Sequence, residues 1–364
     1  MIKYVDLAKQ WKQEKSDLIP LIDKAILNDN HVNGSYIDLF EKSICKLINV
    51  ENCVALNSGT DALVCALVSL GIGRGDEVIT PPNSFISSTS SIAHIGAIPV
   101  FADVKKDQTM DPEMVIKKIT KKTKAIMPVH LTGRLCEMDK IKEISKNYRI
   151  PIVEDAAQSI LSKYKNFLSG TTGDIGCFSA HPLKNLNAIG DAGFIVTNSK
   201  KLAKKIRLMR NHNLIDRDKV SQFGYVSRMD TIQACILNYR IKNLRKIIEK
   251  RRENAKIYQD YLNKTDIIFN QNYREYYDTY HTFVIQVEKR NKLRKYLYEN
   301  GIESFVHYPI PIHLQKACSK YNYKKGDFPN AEKQAKSILS LPIHQFLSQK
   351  DIIKISNTIN SFYK

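Results

Sequence analysis

Cys177-Phe-Ser-Ala-His-Pro-Leu-Lys184-Asn-Leu-Asn-Ala-Ile-Gly190-Asp-Ala-Gly193 sets one lysine in a glycine-rich loop between two apolar segments. Upstream, Ile150-Pro-Ile-Val-Glu-Asp155-Ala-Ala-Gln158 ends an apolar run with a carboxylate. A lysine amine desolvated in a pocket forms a Schiff base with an aldehyde, and a fixed carboxylate keeps a pyridine nitrogen protonated. Those are the two parts that a site for pyridoxal 5'-phosphate (PLP) needs most. A lone lysine in so lysine-rich a chain reads first as a solvated surface residue. The motifs around Lys184 argue for the chemical role instead.

Those motifs run through nearly the whole chain, from about Val32 to about Pro342. In order they are Asn57-Ser-Gly59-Thr60-Asp-Ala-Leu, Gly75-Asp-Glu-Val-Ile-Thr-Pro81, Val129-His-Leu-Thr-Gly133-Arg, Glu154-Asp-Ala-Ala-Gln158 and the Lys184 segment. Then follow Arg210-Asn-His, Ser227-Arg-Met-Asp230-Thr-Ile-Gln-Ala234, Gly301-Ile-Glu, Val306-His-Tyr-Pro309 and Leu339-Ser-Leu-Pro342. Singly each is weak, but their order resembles the sugar aminotransferases of the DegT/DnrJ/EryC1/StrS family. The resemblance implies an α/β protein of PLP transferase fold type I, with a large domain built on a mainly parallel central sheet and a smaller C-terminal α+β domain. It also implies the reaction. An amino group leaves an amino acid, by resemblance L-glutamate going to 2-oxoglutarate, is held as pyridoxamine phosphate (PMP), and passes to a nucleotide-linked keto sugar.

Carried over residue by residue, the resemblance makes Lys184 the catalytic group, which holds PLP and then shuttles a proton between the substrate carbon and the cofactor. The related sugar dehydratases have histidine there, so lysine favours transamination. Gly59 and Thr60 open a helix, where free N–H groups and the dipole favour a phosphate, although Ser58 with Asp61 also reads as a capping box. Phe85 matches the aromatic that lies against the PLP ring, with a plain core phenylalanine as the alternative. Asp155 ends a buried strand, where a carboxylate is costly unless paired, and the pyridinium N–H would pair it. Gln158 would donate to the cofactor's phenolic oxygen, and Ser179 matches the hydroxyl directed at the phosphate. Glu154 and Asn185 match the motifs without a chemical assignment.

On the sugar side the matching residues are His181, His307 and Tyr308, with Arg217 or Lys219 reaching from a loop; lone histidines read equally well as structural. Gly190-Asp191-Ala192-Gly193 is closer to the Gly-Asp-Gly-Gly pattern of members that aminate sugar C3 than to the Gly-Glu-Gly-Gly of C4 members. That points to a 3-keto-6-deoxyhexose. Where the family usually reads Gly-Tyr-Asn-Ser-Arg, this chain has Gly224-Tyr-Val226-Ser-Arg228. Valine cannot give the hydrogen bond that the asparagine gives to the neighbouring subunit's phosphate. The loop still implies a homodimer with shared active sites. Two other readings stand behind the aminotransferase: a PLP-dependent sugar dehydratase, and a non-catalytic regulator on the same fold.

Composition agrees. The 364 residues, 43% hydrophobic and 26% charged, suit a globular enzyme. A single core stops growing near about 250 to 300 residues, so two domains are expected, residues 1–245 for PLP and 246–364 as the smaller one. A net charge of +19 invites nucleic acid. However, the densest basic run, Lys242 to Arg252, carries apolar residues at helical spacing and reads as a solvated helix face. No zinc-finger spacing, RNP-like strand or basic heptad array occurs, so no nucleic-acid partner is expected. The N-terminus lacks an apolar core of signal-peptide length, and the most apolar stretch, Ala62 to Gly73, is too short to span a bilayer. The expectation is a cytoplasmic protein with no membrane partner. Seven cysteines without a C-x-x-C pair suggest neither disulfides nor a metal site, only small buried fillers.

Between about 60 and 200, apolar runs at 77–80, 99–104, 125–129, 150–153 and 193–196 alternate with helical patterns at 61–71, 85–95, 112–120 and 138–147. That alternation predicts a parallel sheet covered on both faces, with ligands outside its carboxyl ends. The pattern from Asp230 to Leu262 predicts one long helix leading to a small domain containing a strand over 280–287.

Overall fold

The computed structural model describes residues 1–364 except 221, 264, 272 and 273. Seven strands build the main sheet: β1 (Asn52–Leu56), β2 (Glu77–Thr80), β3 (Ile98–Phe101), β4 (Thr123–Ile126), β5 (Val153–Asp155), β6 (Ile175–Ser179) and β7 (Gly193–Thr197). Strands β2 and β3, β2 and β4, and β5 and β6 pair in parallel. Parallel bridges Ile126↔Ile152 and Val129↔Asp155 join β4 to β5. Strand β7 runs antiparallel to both β1 and β6. The mainly parallel sheet is therefore found, and its exception has a cause. The loop between β6 and β7 contains no helix, and a parallel crossover normally needs one.

All four expected helices are present: α3 (Gly59–Ser69), α4 (Ile86–His94), α5 (Pro112–Lys118) and α6 (Met138–Tyr148). They follow α1 (Leu7–Asn28) and α2 (Ser35–Ile48) and precede α7 (Lys200–Met209). One apolar cluster packs Phe40 and Ile44 of α2 against Phe178 and Phe194, and another packs Leu63 and Leu67 of α3 against Val78 and Ile195. The strand expected at 150–153 is Val153–Asp155, starting three residues later because Pro151 has no N–H to give the ladder. Asp155 is thus the last residue of the strand.

The long helix expected over 230–262 is two, α8 (Thr231–Arg240) and α9 (Leu244–Tyr261), separated by a 3₁₀ turn at Ile241–Asn243. Beyond it, β8 (Ile267–Phe269), β9 (Phe283–Val287) and β10 (Ile338–Leu341) form an antiparallel sheet. With it go α10 (Arg290–Glu299), α11 (Pro329–Ser337) and α12 (Gln349–Phe362). Strand β9 starts at Phe283 rather than 280, since Tyr280 has φ 45°. Tyr258, Phe283, Leu293, Leu297 and Ile355 fill this smaller core, and Ile2 packs against it. Phe101 and Val104 meet Ile312 and Phe328 in a cluster joining the two parts. All seven cysteines are free and all but Cys45 are buried. Among the described residues no helix is long and apolar enough to cross a membrane.

Phe178 and Phe194 face each other across β6 and β7, with rings stacked at 4.8 Å and 7°, and Phe40 meets Phe194 edge-on at 5.4 Å. This stack floors the Lys184 loop. Phe194→Ala should cost about 3–5 kcal/mol in urea unfolding, and a loss under about 1 kcal/mol would mean that the floor repacks without the ring.

Candidate active site

Glu154 and Asp155 are adjacent on one strand, so their side chains point to opposite faces of the sheet. Glu154 is wholly buried and accepts N–H bonds from Gly170 (2.8 Å), Thr172 (2.7 Å) and Gly173 (2.6 Å). His130 Nε2 completes the set at 2.8 Å. Because the Cys136 N–H donates to His130 Nδ1, the ring proton sits on Nε2 and is given to Glu154. Asp155 is also buried, but among the described residues it accepts from just Ser88 Oγ (2.7 Å) and the Ala157 N–H (3.2 Å). A carboxylate has about four acceptor positions, so Asp155 keeps capacity for one more donor.

The Lys184 loop is pinned along its length. Ala180 N–H donates to Ala192 O, Lys184 N–H to His181 O and Ala188 N–H to Ala180 O, each at 2.8 Å. Asn185 Nδ2 donates to Thr279 O at 2.9 Å, so this motif residue, unassigned from sequence, ties the loop to the smaller part. The Lys184 side chain is half-buried, and desolvation brings its amine down to about 8 while the Asp155 carboxylate pulls the other way. Lysine and aspartate thus lie close enough to feel each other's charge.

Ser58 caps α3 through the Asp61 N–H (3.1 Å) and its carbonyl accepts the Ala62 N–H (3.1 Å). The Gly59 and Thr60 N–H groups are left at the open end of the helix. A side chain at Gly59 would put Cβ 2.6 Å from Ser179 Cβ, so glycine is what lets the helix end approach Ser179. Thr60 Oγ1 and Ser87 Oγ lie 2.9 Å apart beside it. Gly59, Thr60, Ser87 and Ser179 make a cradle of donors that fits a phosphate.

Thr132 holds φ 64°, unusual for a β-branched residue, and its N–H donates to Gln158 Oε1 at 2.8 Å. With Oε1 engaged, Gln158 presents its amide N–H₂ to the site. Phe85 is 52% exposed, its ring 5.7 Å from that of Tyr308. Burial pushes the Tyr308 phenol up to about 12. His307 Nδ1 is 2.9 Å from Ser340 Oγ, and burial followed by the Lys184 charge takes its ring down to about 4. His181 is exposed and shifts the same way for the same two causes. His281, which the sequence did not single out, is held neutral by burial, then by Lys184 and Arg251, and its buried Nδ1 has no hydrogen-bond partner among the described residues. Ser87 and Ser88 also escaped notice, although the hydroxyl run Ser87-Ser-Thr-Ser-Ser91 was there to be read.

Arg217 and Lys219 do not join this group. Both are exposed in the 211–228 loop, where Lys219 lies 3.7 Å from Asp216. Among the described residues no hydrogen bond or ion pair links either to the Lys184 loop. Val226 is 53% exposed on the same loop and bridges to Asn211.

The Lys184 amine should therefore capture a simple aldehyde, followed by reduction and peptide mapping, with a midpoint near pH 8; a midpoint near 10.5 would mean a hydrated amine. Asp155→Asn removes the charge that supports the ammonium, so its midpoint should fall below 8.

Residues 12–360 match the model of the DegT/DnrJ/EryC1/StrS aminotransferase family. The UDP-N-acetyl-3-dehydro-alpha-D-glucosamine 3-aminotransferase of Acidithiobacillus ferrooxidans is 35% identical, over 98% of this chain and 97% of that protein. The crystal structure of S. venezuelae DesV superposes with a TM-score of 0.97 at 32% identity, covering 100% of this chain and 98% of that one. Bacillus subtilis NtdA, crystallised with bound cofactor PMP, gives a TM-score of 0.88 at 30% identity, over 96% of this chain and 82% of that one. Lys184, Asp155 and the cradle at Gly59 are a donor set suited to PLP, and PLP is the cofactor of this enzyme, a sugar aminotransferase. By sequence, fold and cofactor chemistry, the chain belongs to the DegT/DnrJ/EryC1/StrS aminotransferase family.

Proposed function

We propose that this enzyme takes the amino group of L-glutamate and delivers it to C3 of a nucleotide-linked 3-keto-6-deoxyhexose, working in the cytoplasm as a homodimer with shared active sites. What supports the reading is the desolvated Lys184 amine within reach of the Asp155 charge, together with the donor cradle at Gly59. Position C3 is supported by Gly190-Asp191-Ala192-Gly193 and by the name of the Acidithiobacillus relative, which acts on a 3-dehydro sugar. Free thiols throughout suit a reducing compartment.

Bound PLP supplies an aldehyde that accepts amino groups and a ring that withdraws electrons. Lys184 would hold it, and its amine, near neutrality, would then take a proton from the donor's α-carbon and later return one to the sugar's C3. Asp155 would keep the proton on the pyridine nitrogen, with Ser88 fixing the carboxylate. Gln158 would donate to the phenolic oxygen, Phe85 would cover the ring face, and Gly59, Thr60 and Ser179 would bind the phosphate. His181, His307 and Tyr308 would line the sugar side. Arg217 and Lys219, solvent-exposed within one chain, would serve the partner's site from the 211–228 loop. Val226 leaves that loop without the family's phosphate donor.

The test is a screen of purified enzyme against keto-sugar nucleotides with glutamate, reading 2-oxoglutarate and the mass of the sugar product. An amino sugar at C3 with equimolar 2-oxoglutarate is expected. Ammonia released without 2-oxoglutarate would instead assign a dehydratase. Asp155→Asn should retain PLP on dialysis but lose about two to four powers of ten in turnover, because the ring nitrogen no longer keeps its proton. Wild-type turnover in that variant would make Asp155 a structural strand end.

A further inference from the structure

The segment ahead of α1 is fastened to the smaller part of the molecule. Ile2 N–H donates to Gly301 O (2.7 Å), Glu303 N–H donates to Ile2 O (3.0 Å), and Tyr4 N–H donates to the Glu303 carboxylate (2.8 Å). His344 Nε2 lies 3.1 Å from Lys3 O. A few residues on, the first turns of α1 are fastened to the loop that carries Lys184. Gln10 and Asn187, both buried, exchange side-chain amide bonds of 3.1 and 3.0 Å. Glu14 binds Arg240 at 2.6 Å, and Arg240 donates to Asn187 O (2.9 Å) and Ala188 O (3.2 Å). Residues 2–14 therefore form a strap between the two parts, with the active site beside it.

Tyr4 sits where the strap passes His307. Its ring is stacked on the imidazole at 5.7 Å and 29°, and on its other contact Phe305 lies at 4.9 Å and 58°. Tyr308 meets the imidazole edge-on at 5.4 Å, and Ser340 Oγ occupies Nδ1 at 2.9 Å. The imidazole is boxed by three rings and one hydroxyl. The Tyr4 hydroxyl is buried beside Ser340, and among the described residues it makes no hydrogen bond to His307, so what Tyr4 sets against the imidazole is its ring.

We propose that Tyr4 is a positioning residue for His307: its ring holds the imidazole in one orientation and keeps water from its face. The consequence for substrate rests on the role given to His307 above. The strap then sets the sugar side of the site in register with the Lys184 loop, since one rigid segment touches both.

The test compares Tyr4→Leu, which keeps bulk without a ring, with Tyr4→Phe, which keeps the ring without a hydroxyl. Nitrogen-15 NMR, with the His307 signal assigned by its loss in His307→Gln, gives the imidazole titration in protein without substrate. In folded Tyr4→Leu the His307 midpoint should move up from about 4 toward 6.5 as the ring hydrates. The KM for the keto-sugar nucleotide should rise about tenfold while single-turnover amine uptake from glutamate changes less than about twofold. Tyr4→Phe should restore both. A folded Tyr4→Leu whose His307 still titrates near 4, an unchanged sugar KM, or a Phe variant as impaired as Leu overturns the proposal. Should Tyr4→Leu not fold, Tyr4→Phe decides alone: wild-type titration and KM support it, and a change in either overturns it. Because the titration needs no sugar, an enzyme that aminated none of the sugars tested would strike the function proposed above and leave Tyr4 still to be judged.

Discussion

A carboxylate that water cannot reach must be matched donor by donor, and Glu154 is where this chain meets that demand. Three backbone N–H groups of residues 170–173 and the Nε2–H of His130 converge on it. Breaking such a set leaves an uncompensated buried charge, at about 3–5 kcal/mol. Strand β5 consequently cannot slide against β6 or against the turn at 130–133, and Asp155 emerges at one depth. The same turn donates from Thr132 to Gln158 and accepts from Thr279 at Gly133 O. Thr279 O in turn receives Asn185, one residue from Lys184. A purely structural acid thus sets the frame in which the chemical residues stand.

The groups around Lys184 share an electrostatic character. His181, His281 and His307 are all depressed, with burial first among the causes, so in the neutral range the imidazoles around Lys184 are uncharged neighbours. His307 and His344 sit at about 4 against an ordinary 6.5. Between those values the folded chain binds fewer protons than the unfolded one. Their contribution to stability is complete above pH 6.5 and is lost as pH falls toward 4.

Much of the fold could be read from the chain because apolar runs bounded by glycine and proline alternate with helical spacing. Direction could not. A strand pattern has no arrow, so the reversal of β7 follows only from the helix-free loop that feeds it. Lys184 and Asp155 were legible because few other tasks call for a lysine in such a loop and a carboxylate at a buried strand end. Ser88 was not, since it meets Asp155 across 67 residues of sequence. Thr132 was hidden for another reason, as its positive φ runs against the preference of a β-branched residue. Arg217 and Lys219 were named by resemblance alone, and within one chain they stay in solvent.

The buried thiols give the molecule a chemically silent background. Burial raises Cys53, Cys65, Cys177, Cys235 and Cys318, and Cys45 as well. Thiolate, the reactive form, is therefore scarce at neutral pH. A single cysteine introduced at exposed position 217 would stand as the dominant target for a maleimide dye once half-buried Cys45 is replaced. Fluorescence from that one position could then follow the 211–228 loop in solution, turning a packing detail into a ready-made labelling scheme.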